Sequence, residues 1–206
     1  MRKTLAALVT AALAALLASI AVASSPQTVT ISASRPSVVF GKSVTLSGKV
    51  SNSKASENVS VLAEPFGTAA FAAIATVQTV SGGHWSEAVK PTIETSYQAK
   101  WKSATSSTVS VKVRPLITLT LVSRATGSFT TKVSAARSFA GKFVLVQRLT
   151  STGVSTLKRV TLDASSAASF RVRLHSGRSR LRVVMPTSQT APGYITGTSN
   201  VVTVLH

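Results

Sequence analysis

The chain's five carboxylates are the first candidates for catalysis, and they are scattered singly: Glu57, Glu64, Glu87, Glu94 and Asp163. Glycosidase chemistry needs two carboxyl groups held roughly 5 to 9.5 Å apart. No two of these residues are close in sequence, so only folding could assemble such a pair. An enzyme whose site is built from distant residues therefore remains one alternative. Glu94 and Asp163 are more simply interpreted as solvated or turn-forming groups.

Other catalytic and metal-binding patterns are also missing from the sequence. The histidines, His84, His175 and His206, are far apart and have no carboxylate at metal-ligand spacing. There is no Gly-x-Ser-x-Gly nucleophile elbow, and Gly41-Lys42-Ser43 lacks the first glycine of a phosphate-binding loop. We expect no catalytic residue, no metal ligand and no cofactor, and we interpret the protein as a non-enzyme.

Basic side chains greatly outnumber acidic ones in this chain, which has 23 Lys and Arg against 5 Asp and Glu. Residues 24–114 hold nine basic and four acidic residues, whereas residues 115–206 hold twelve basic residues and Asp163 alone. The positive electrostatic field of such a chain attracts anionic polymers, largely without regard to the sequence of the polymer. The expected partner is therefore an anionic polymer, namely a cell-wall polymer, an acidic glycan or a lipid headgroup.

The densest basic segment is RVRLHSGRSRLRV, residues 171–183. Its arginines alternate with apolar residues, and four of them are the candidate polyanion contacts: Arg171, Arg173, Arg180 and Arg182. If a turn at Ser176-Gly177 closes a hairpin, these four guanidinium groups share one face. The plainer alternative is a pair of solvated strand faces.

The segment ETSYQAKWKS, residues 94–103, contains one of the two tryptophans and one of the two tyrosines. In a strand, Tyr97, Ala99 and Trp101 point to one side and the lysines to the other, which favours a core strand over a ligand platform. Trp85 and Phe170 are expected in the core for the same reason. The rival hypothesis is a carbohydrate-binding module or an accessory domain pair of an extracellular enzyme system. A carbohydrate-binding module needs Trp101 or the loop residue Tyr194 to be exposed. Nucleic acid is a less favoured partner, because the exposed aromatic residues that stack on bases are missing.

The elements that would position these residues are strands, since short runs with period-two alternation are separated by Gly, Ser, Pro and Asn. The two halves of the chain show internal sequence similarity. Residues 59–62 align with 143–146, residues 97–101 with 181–185, and residues 108–111 with 200–203. An insertion of about eight residues falls within residues 186–197 of the second half, where a loop addition leaves strand order intact. The predicted boundary lies between Arg114 and Pro115, giving domains 24–114 and 115–206 placed end to end.

The first 23 residues are typical of a secretory signal peptide: Arg2 and Lys3 precede an apolar run, and Ala21-Val22-Ala23 has the form of a cleavage site. A retained membrane anchor is the alternative. We expect cleavage after Ala23 and a location outside the cell or on its surface, with no membrane span in the mature chain. Because there is no cysteine, an apolar core must supply the stability.

Residues 36–50 (PSVVFGKSVTLSGKV), followed by Gly82-Gly83-His84-Trp85 and Thr95-Ser96-Tyr97-Gln98-Ala99, resemble the bacterial immunoglobulin-like repeat of secreted and surface proteins. The resemblance covers most of residues 27–113 and reaches the second half only through the internal match. It implies an all-β fold of two tandem immunoglobulin-like or fibronectin-III-like antiparallel sandwiches, used as a spacer, stalk or adhesion module. Immunoglobulin wiring would place residues 171–173 and 180–182 in opposite sheets, which would divide the four arginines.

Overall fold

The computed structural model describes residues 26–174 and 177–205, in which almost all regular structure is β-strand. The predicted signal peptide, His175, Ser176 and His206 lie outside these residues. The N-terminal half (residues 26–114) contains β1 (Ser32–Ala33), β2 (Ser37–Val39), β3 (Val44–Lys49), β4 (Asn58–Pro65), β5 (Ala72–Gln78), β6 (His84–Val89), β7 (Thr95–Trp101), β8 (Ala104–Thr105) and β9 (Val109–Arg114). A single 3₁₀ turn, Ser81–Gly83, leads into β6.

Two sheets form this half. One has the order β1-β3-β6, and the other has the order β2-β9-β7-β4-β5 with β8 paired to β7. All pairs are antiparallel except β2 with β9, which are parallel. Because the chain crosses repeatedly between the two sheets, strands that follow one another in sequence are often in different layers. These crossovers are those of a two-layered β-sandwich.

The C-terminal half (residues 115–205) repeats this plan. Its elements are β10 (Leu116–Ser123), β11 (Ser128–Ser134), β12 (Phe143–Thr150), β13 (Gly153–Thr161), β14 (Ala167–Arg171), β15 (Arg178–Met185), the short helix α1 (Thr187–Thr190), β16 (Gly197–Thr198) and β17 (Val202–Leu205). One sheet has the order β10-β11-β14 and the other the order β13-β12-β15-β16, with β17 also paired to β15. The all-β fold class expected from the alternation is confirmed.

Strand β7 shows how the alternating sequence produces the core. Tyr97, Ala99 and Trp101 are buried, with at most 2% of each side chain exposed, and the exposed Lys100 lies between them on the opposite face. Trp85 and Phe170 are also buried, and Phe170 stacks on Phe129 with ring centroids 5.9 Å apart. Fully burying a large apolar side chain stabilises the fold by about 1.5–3 kcal/mol. Because this chain has no disulfide, its stability depends on such burial.

Gly48 is needed where β3 meets the Trp85 side chain. A Cβ at this position would lie 1.9 Å from the Thr30 carbonyl oxygen and 2.7 Å from the Trp85 indole nitrogen. Only glycine therefore allows the chain before β1 and the indole ring to approach β3 so closely.

Strand pairing corrects the sequence alignment of the two halves by one residue. The register of the β4–β5 pair shifts after Val61, and that of the β12–β13 pair shifts after Val146, so Val61 corresponds to Val146 and not to Leu145. Both valines are fully buried, whereas Leu145 lies on the outer face. The alignment slipped because residues 143–146 are apolar at four consecutive positions, so residue similarity could not distinguish the two faces.

The junction between the halves is short and hydrogen-bonded. Pro115 alone separates β9 from β10. Residues 186–197 of the second half then pack against the first half: the Glu94 amide donates to the Gly193 carbonyl at 2.9 Å, and the Ile195 amide donates to the Val113 carbonyl at 3.0 Å. The predicted loop insertion therefore forms part of the contact between the two halves.

Tyr194 lies at the centre of this junction and is not exposed there, as the carbohydrate-binding alternative would require. It is 2% exposed, because its ring packs edge-on against Phe139. Its hydroxyl donates to the Thr92 carbonyl at 2.7 Å and accepts from the Ala136 amide at 3.0 Å. Burial raises the pKa of the Tyr194 hydroxyl. One side chain thus satisfies a backbone group in each half.

Tyr194→Phe should loosen this junction, since it leaves the Thr92 carbonyl and the Ala136 amide without their partner. We expect the free energy of unfolding to fall by about 1–3 kcal/mol, because each lost hydrogen bond contributes about 0.5–1.5 kcal/mol. Urea unfolding measures this change, and ¹⁵N relaxation measures how far the two halves tumble independently.

Leu181→Ala is the control, because Leu181 is fully buried within the second half and pairs with Arg148 and Val202, four residues along β15 from Met185 and the junction loop. It should lower stability without changing the relative tumbling of the halves. Identical relaxation in Tyr194→Phe and the wild-type protein would contradict the proposed role of the hydroxyl.

Candidate basic surface

The structure divides the four candidate arginines between two sheets. Arg171 ends β14, and Arg173 follows two residues later, at the edge of the three-stranded sheet. Arg180 and Arg182 lie on β15, in the centre of the other sheet. The hairpin arrangement with all four guanidinium groups on one face is therefore not the one observed, because β14 and β15 belong to different layers.

Strand β15 directs three arginines to one side of its sheet, and of these Arg178 and Arg180 are exposed and Arg182 is half-buried. Ser179, Leu181 and Val183 are buried, so Arg178, Arg180 and Arg182 all point outward. Residues two apart on a strand are separated by roughly 7 Å. The β15 arginines therefore leave the strand at evenly spaced positions along one face.

Arg159, from β13, belongs to the same outer face. Its partner on β12 is Leu145, which in turn pairs with Val184, next to Arg182. We call Arg159, Arg178, Arg180 and Arg182 the arginine face. The predicted contacts Arg180 and Arg182 belong to it, whereas Arg171 and Arg173 do not.

Neighbouring side chains orient two members of the arginine face. The Arg182 Nε donates to the Gln147 side-chain oxygen at 2.9 Å. The Arg159 guanidinium lies over the Phe143 ring, 3.4 Å from its centroid. Each contact leaves other guanidinium N–H groups available, since the guanidinium has five donors. These arginines can therefore bind an anion without first being released from a carboxylate.

Among the residues that the structure describes, no side-chain carboxylate forms an ion pair with this face. Asp163 is the only acidic residue from Pro115 onward, and it lies in the turn between β13 and β14, where it accepts hydrogen bonds from the Ser165 hydroxyl and the Ser165 and Ala167 amides. These bonds, the Ser165 hydroxyl first, lower the Asp163 pKa. The carboxylate thus acts as a turn-forming group and is occupied by local donors.

Glu57 is the acidic counterpart in the N-terminal half, and it holds the Trp101 indole in place. Its carboxylate accepts from Trp101 Nε1 at 2.9 Å and from the Asn52 amide at 2.7 Å, and Lys102 lies 3.4 Å away. The hydrogen bond from Trp101 is the main cause of a lowered Glu57 pKa, followed by that from Asn52. Among the described residues this is the only ion pair.

The aromatic residues do not form an exposed platform. Trp101 and Tyr194 are each 2% exposed, so the expectation of the carbohydrate-binding alternative fails at both positions. In the described part of the chain, no three His, Cys, Asp or Glu residues are grouped as a metal site. Over the same residues, no helix has the length and apolar character needed to cross a membrane.

Sequence reasoning missed two members of the arginine face. Arg178 could have been found, because it has the same parity as Arg180 and Arg182 in the period-two pattern. Arg159 carried no such signal. Its place beside β15 depends on the sheet order β13-β12-β15, which local sequence does not reveal.

Comparisons with known proteins found similarity only at the level of structure. No family model matches the chain, and no curated protein matches it. One solved structure it resembles is described as "Crystal structure of tetra-tandem repeat in extending region of large adhesion protein", with a TM-score of 0.37 and 12% sequence identity. The match covers 87% of this chain and 49% of that one, so this chain spans about half of the adhesion-protein structure.

Glu57→Gln should reduce the pH dependence of stability at low pH. A carboxylate whose pKa is lowered by folding stabilises the protein above its unfolded pKa, about 4.3 for Glu, and this contribution is lost as the pH falls through the folded pKa. We expect wild type to exceed Glu57→Gln in free energy of unfolding near neutral pH, with the difference shrinking below about pH 4. Urea unfolding at a series of pH values measures it.

Glu64→Gln provides the comparison, since Glu64 lies on the adjoining strand β4 and its side chain makes no hydrogen bond among the described residues. The Glu64→Gln protein should keep the wild-type free energy of unfolding near neutral pH. A Glu57→Gln curve that runs parallel to wild type from pH 3 to pH 7 would refute the role assigned to this carboxylate.

Proposed function

We propose that this protein is a secreted, non-enzymatic module that attaches electrostatically to anionic polymers outside the cell or on its surface. The observation that carries the proposal is the arginine face, four arginines on one side of a single sheet. The only acidic side chain of that half is occupied by its own turn. Binding an external anion is the chemistry such a surface offers.

The residue type on this face suits polyanions. A guanidinium group is planar, stays charged and pairs with phosphate, sulfate or carboxylate through two parallel hydrogen bonds. The face also has apolar flanks, for Val154 is 51% exposed and Leu205 is 63% exposed. Such residues support the aliphatic stems of long basic side chains while the charged ends remain in water. Attachment of this kind recognises charge density and not a particular monomer.

The proposed organisation is a signal peptide, residues 1–23, followed by domains 24–114 and 115–206. The hydrogen bonds of the Gly193 and Ile195 backbone groups across the junction support a stiff pair rather than two freely swinging modules. A stiff pair can hold one end of the chain at a set distance from a polymer bound at the other end. We therefore propose a spacer or adhesive role of the kind expected for tandem immunoglobulin-like repeats.

Salt dependence tests the electrostatic attachment. With dextran sulfate as the probe and neutral dextran as the reference, affinity should fall linearly on a plot of log K against log salt concentration. Replacing Arg159, Arg178, Arg180 and Arg182 with serine should make the slope shallower by about 3, taking ~0.7 per contact from single-stranded nucleic acids. Isothermal titration calorimetry at four or more salt concentrations measures the slope.

A variant of equal net charge separates the face from the overall field. Four exposed lysines of the N-terminal half serve as the control when replaced with serine: Lys49, Lys90, Lys100 and Lys112. We expect this variant to keep most of the wild-type slope. If both variants lose the same slope, or if wild type does not bind dextran sulfate at low salt, the arginine face has no special role and the proposal fails.

A further inference from the structure

A second basic feature lies at the edge of the C-terminal sandwich, where β13 and β14 border the gap between the two sheets. A cleft of about 250 Å³ opens there. Its lining consists of Arg148, Leu157, Lys158, Arg171, Val172 and Arg173. We call this feature the basic cleft, and it contains the predicted contacts Arg171 and Arg173 but no member of the arginine face.

Arg148 enters this cleft from inside the sandwich. It pairs across the sheet with Leu181, which is fully buried, so its side chain points toward the other layer. One terminal nitrogen donates to the Arg173 carbonyl at 3.0 Å, whereas the Nε is buried and has no hydrogen-bond partner. A half-buried cation with an unsatisfied donor is costly unless an anion compensates it.

The other three cations surround Arg148 from both sheets. Lys158 comes from β13, and Arg171 and Arg173 come from the end of β14 and the residues after it. All three are exposed. Leu157 has no partner on β12, because the bulge skips it, and this irregularity brings the consecutive residues 157 and 158 to the cleft. Within residues 26–174 and 177–205, no carboxylate lines it.

The N-terminal half provides an internal comparison. Its equivalent opening, about 300 Å³, has Ala63 where the second half has Arg148 and Ala75 where it has Lys158, according to the matching bulges and strand pairs. Glu87 and Lys90, of opposite charge, also line that opening. The fold therefore does not require cations at this edge, and their accumulation in the second half is particular to the basic cleft.

We propose that the basic cleft binds a single phosphate group, either free or at the end or bend of a phosphate-bearing chain. Phosphate has three or four acceptor oxygens and up to two negative charges, so it can pair with several guanidinium groups at once, whereas a carboxylate matches only one. The cleft is about eight times the ~30 Å³ that a water molecule occupies in the liquid, which accommodates a phosphate with a short attached alcohol. The site is separate from the arginine face and does not depend on it.

Titration with inorganic phosphate at constant ionic strength, balanced with sodium chloride, tests the proposal. Binding should saturate and should shift the NMR resonance of the Arg148 Nε–H together with the amides of Leu157 and Val172. Dimethyl phosphate serves as a second probe: tighter binding of the monoanionic diester indicates a phosphodiester chain as the source, and tighter binding of inorganic phosphate indicates a terminal or free phosphate. Sodium acetate should shift these resonances without saturation.

Arg148→Gln should weaken phosphate binding at least tenfold. Because Arg148 is partly buried, the double variant Lys158→Gln and Arg173→Gln provides a second test at exposed positions, and it should also weaken binding at least tenfold. The charge-matched control is Arg178→Gln with Arg180→Gln, on the arginine face, for which we expect less than a twofold change.

The two sets of variants should respond oppositely to phosphate and to dextran sulfate, which distinguishes this inference from the proposed function. Variants of the basic cleft should keep the wild-type salt slope of dextran sulfate binding, whereas the four-arginine variant of the arginine face should have a shallower slope and keep phosphate binding. The inference is overturned if phosphate shifts the resonances no more than chloride does. It is equally overturned if the control pair weakens phosphate binding as much as the cleft variants, since net charge alone would then explain the effect.

Discussion

The pleat of the β-strand is the constraint on which this structure depends, because it forces every second side chain to the face opposite its neighbours. With no cysteine to form a disulfide, the sandwiches must bury a stripe of valine, leucine and aromatic side chains along each central strand. Whatever lies between the buried residues must then face water. On β15 the buried residues are Ser179, Leu181 and Val183, so the arginines between them necessarily point to the outer surface of the sheet.

The two halves use the same wiring but handle charge differently. In the N-terminal half, Glu57 accepts the Trp101 indole and pairs with Lys102, so an acidic group helps to hold a core aromatic residue. In the C-terminal half the only carboxylate is occupied by a turn, and Arg182 and Arg159 are oriented by an amide and an aromatic ring instead. Cations held by neutral groups keep their charge available to an external partner.

The contact between the two halves restricts the orientation of the basic surface relative to the N-terminal half. Tyr194 bonds to a carbonyl of one half and an amide of the other, and the backbone around it adds further hydrogen bonds. A basic surface on a freely swinging domain would sample many orientations, whereas this contact restricts them. The same loop appeared in the sequence only as an insertion rich in Pro, Gly, Ser and Thr, although it supplies the contact that joins the halves.

Local periodicity was enough to determine the strands, the all-β class and the burial of residues such as Trp101, because alternation is a property of neighbours along the chain. The outward direction of Arg180 and Arg182 follows from the same rule. The tertiary structure alone decided three matters: the match of Val61 with Val146, the burial of Tyr194, and the meeting of Arg148 with Lys158, Arg171 and Arg173. Each depends on register, bulges or sheet order, and these arise from pairing between segments distant in sequence, which no local pattern records.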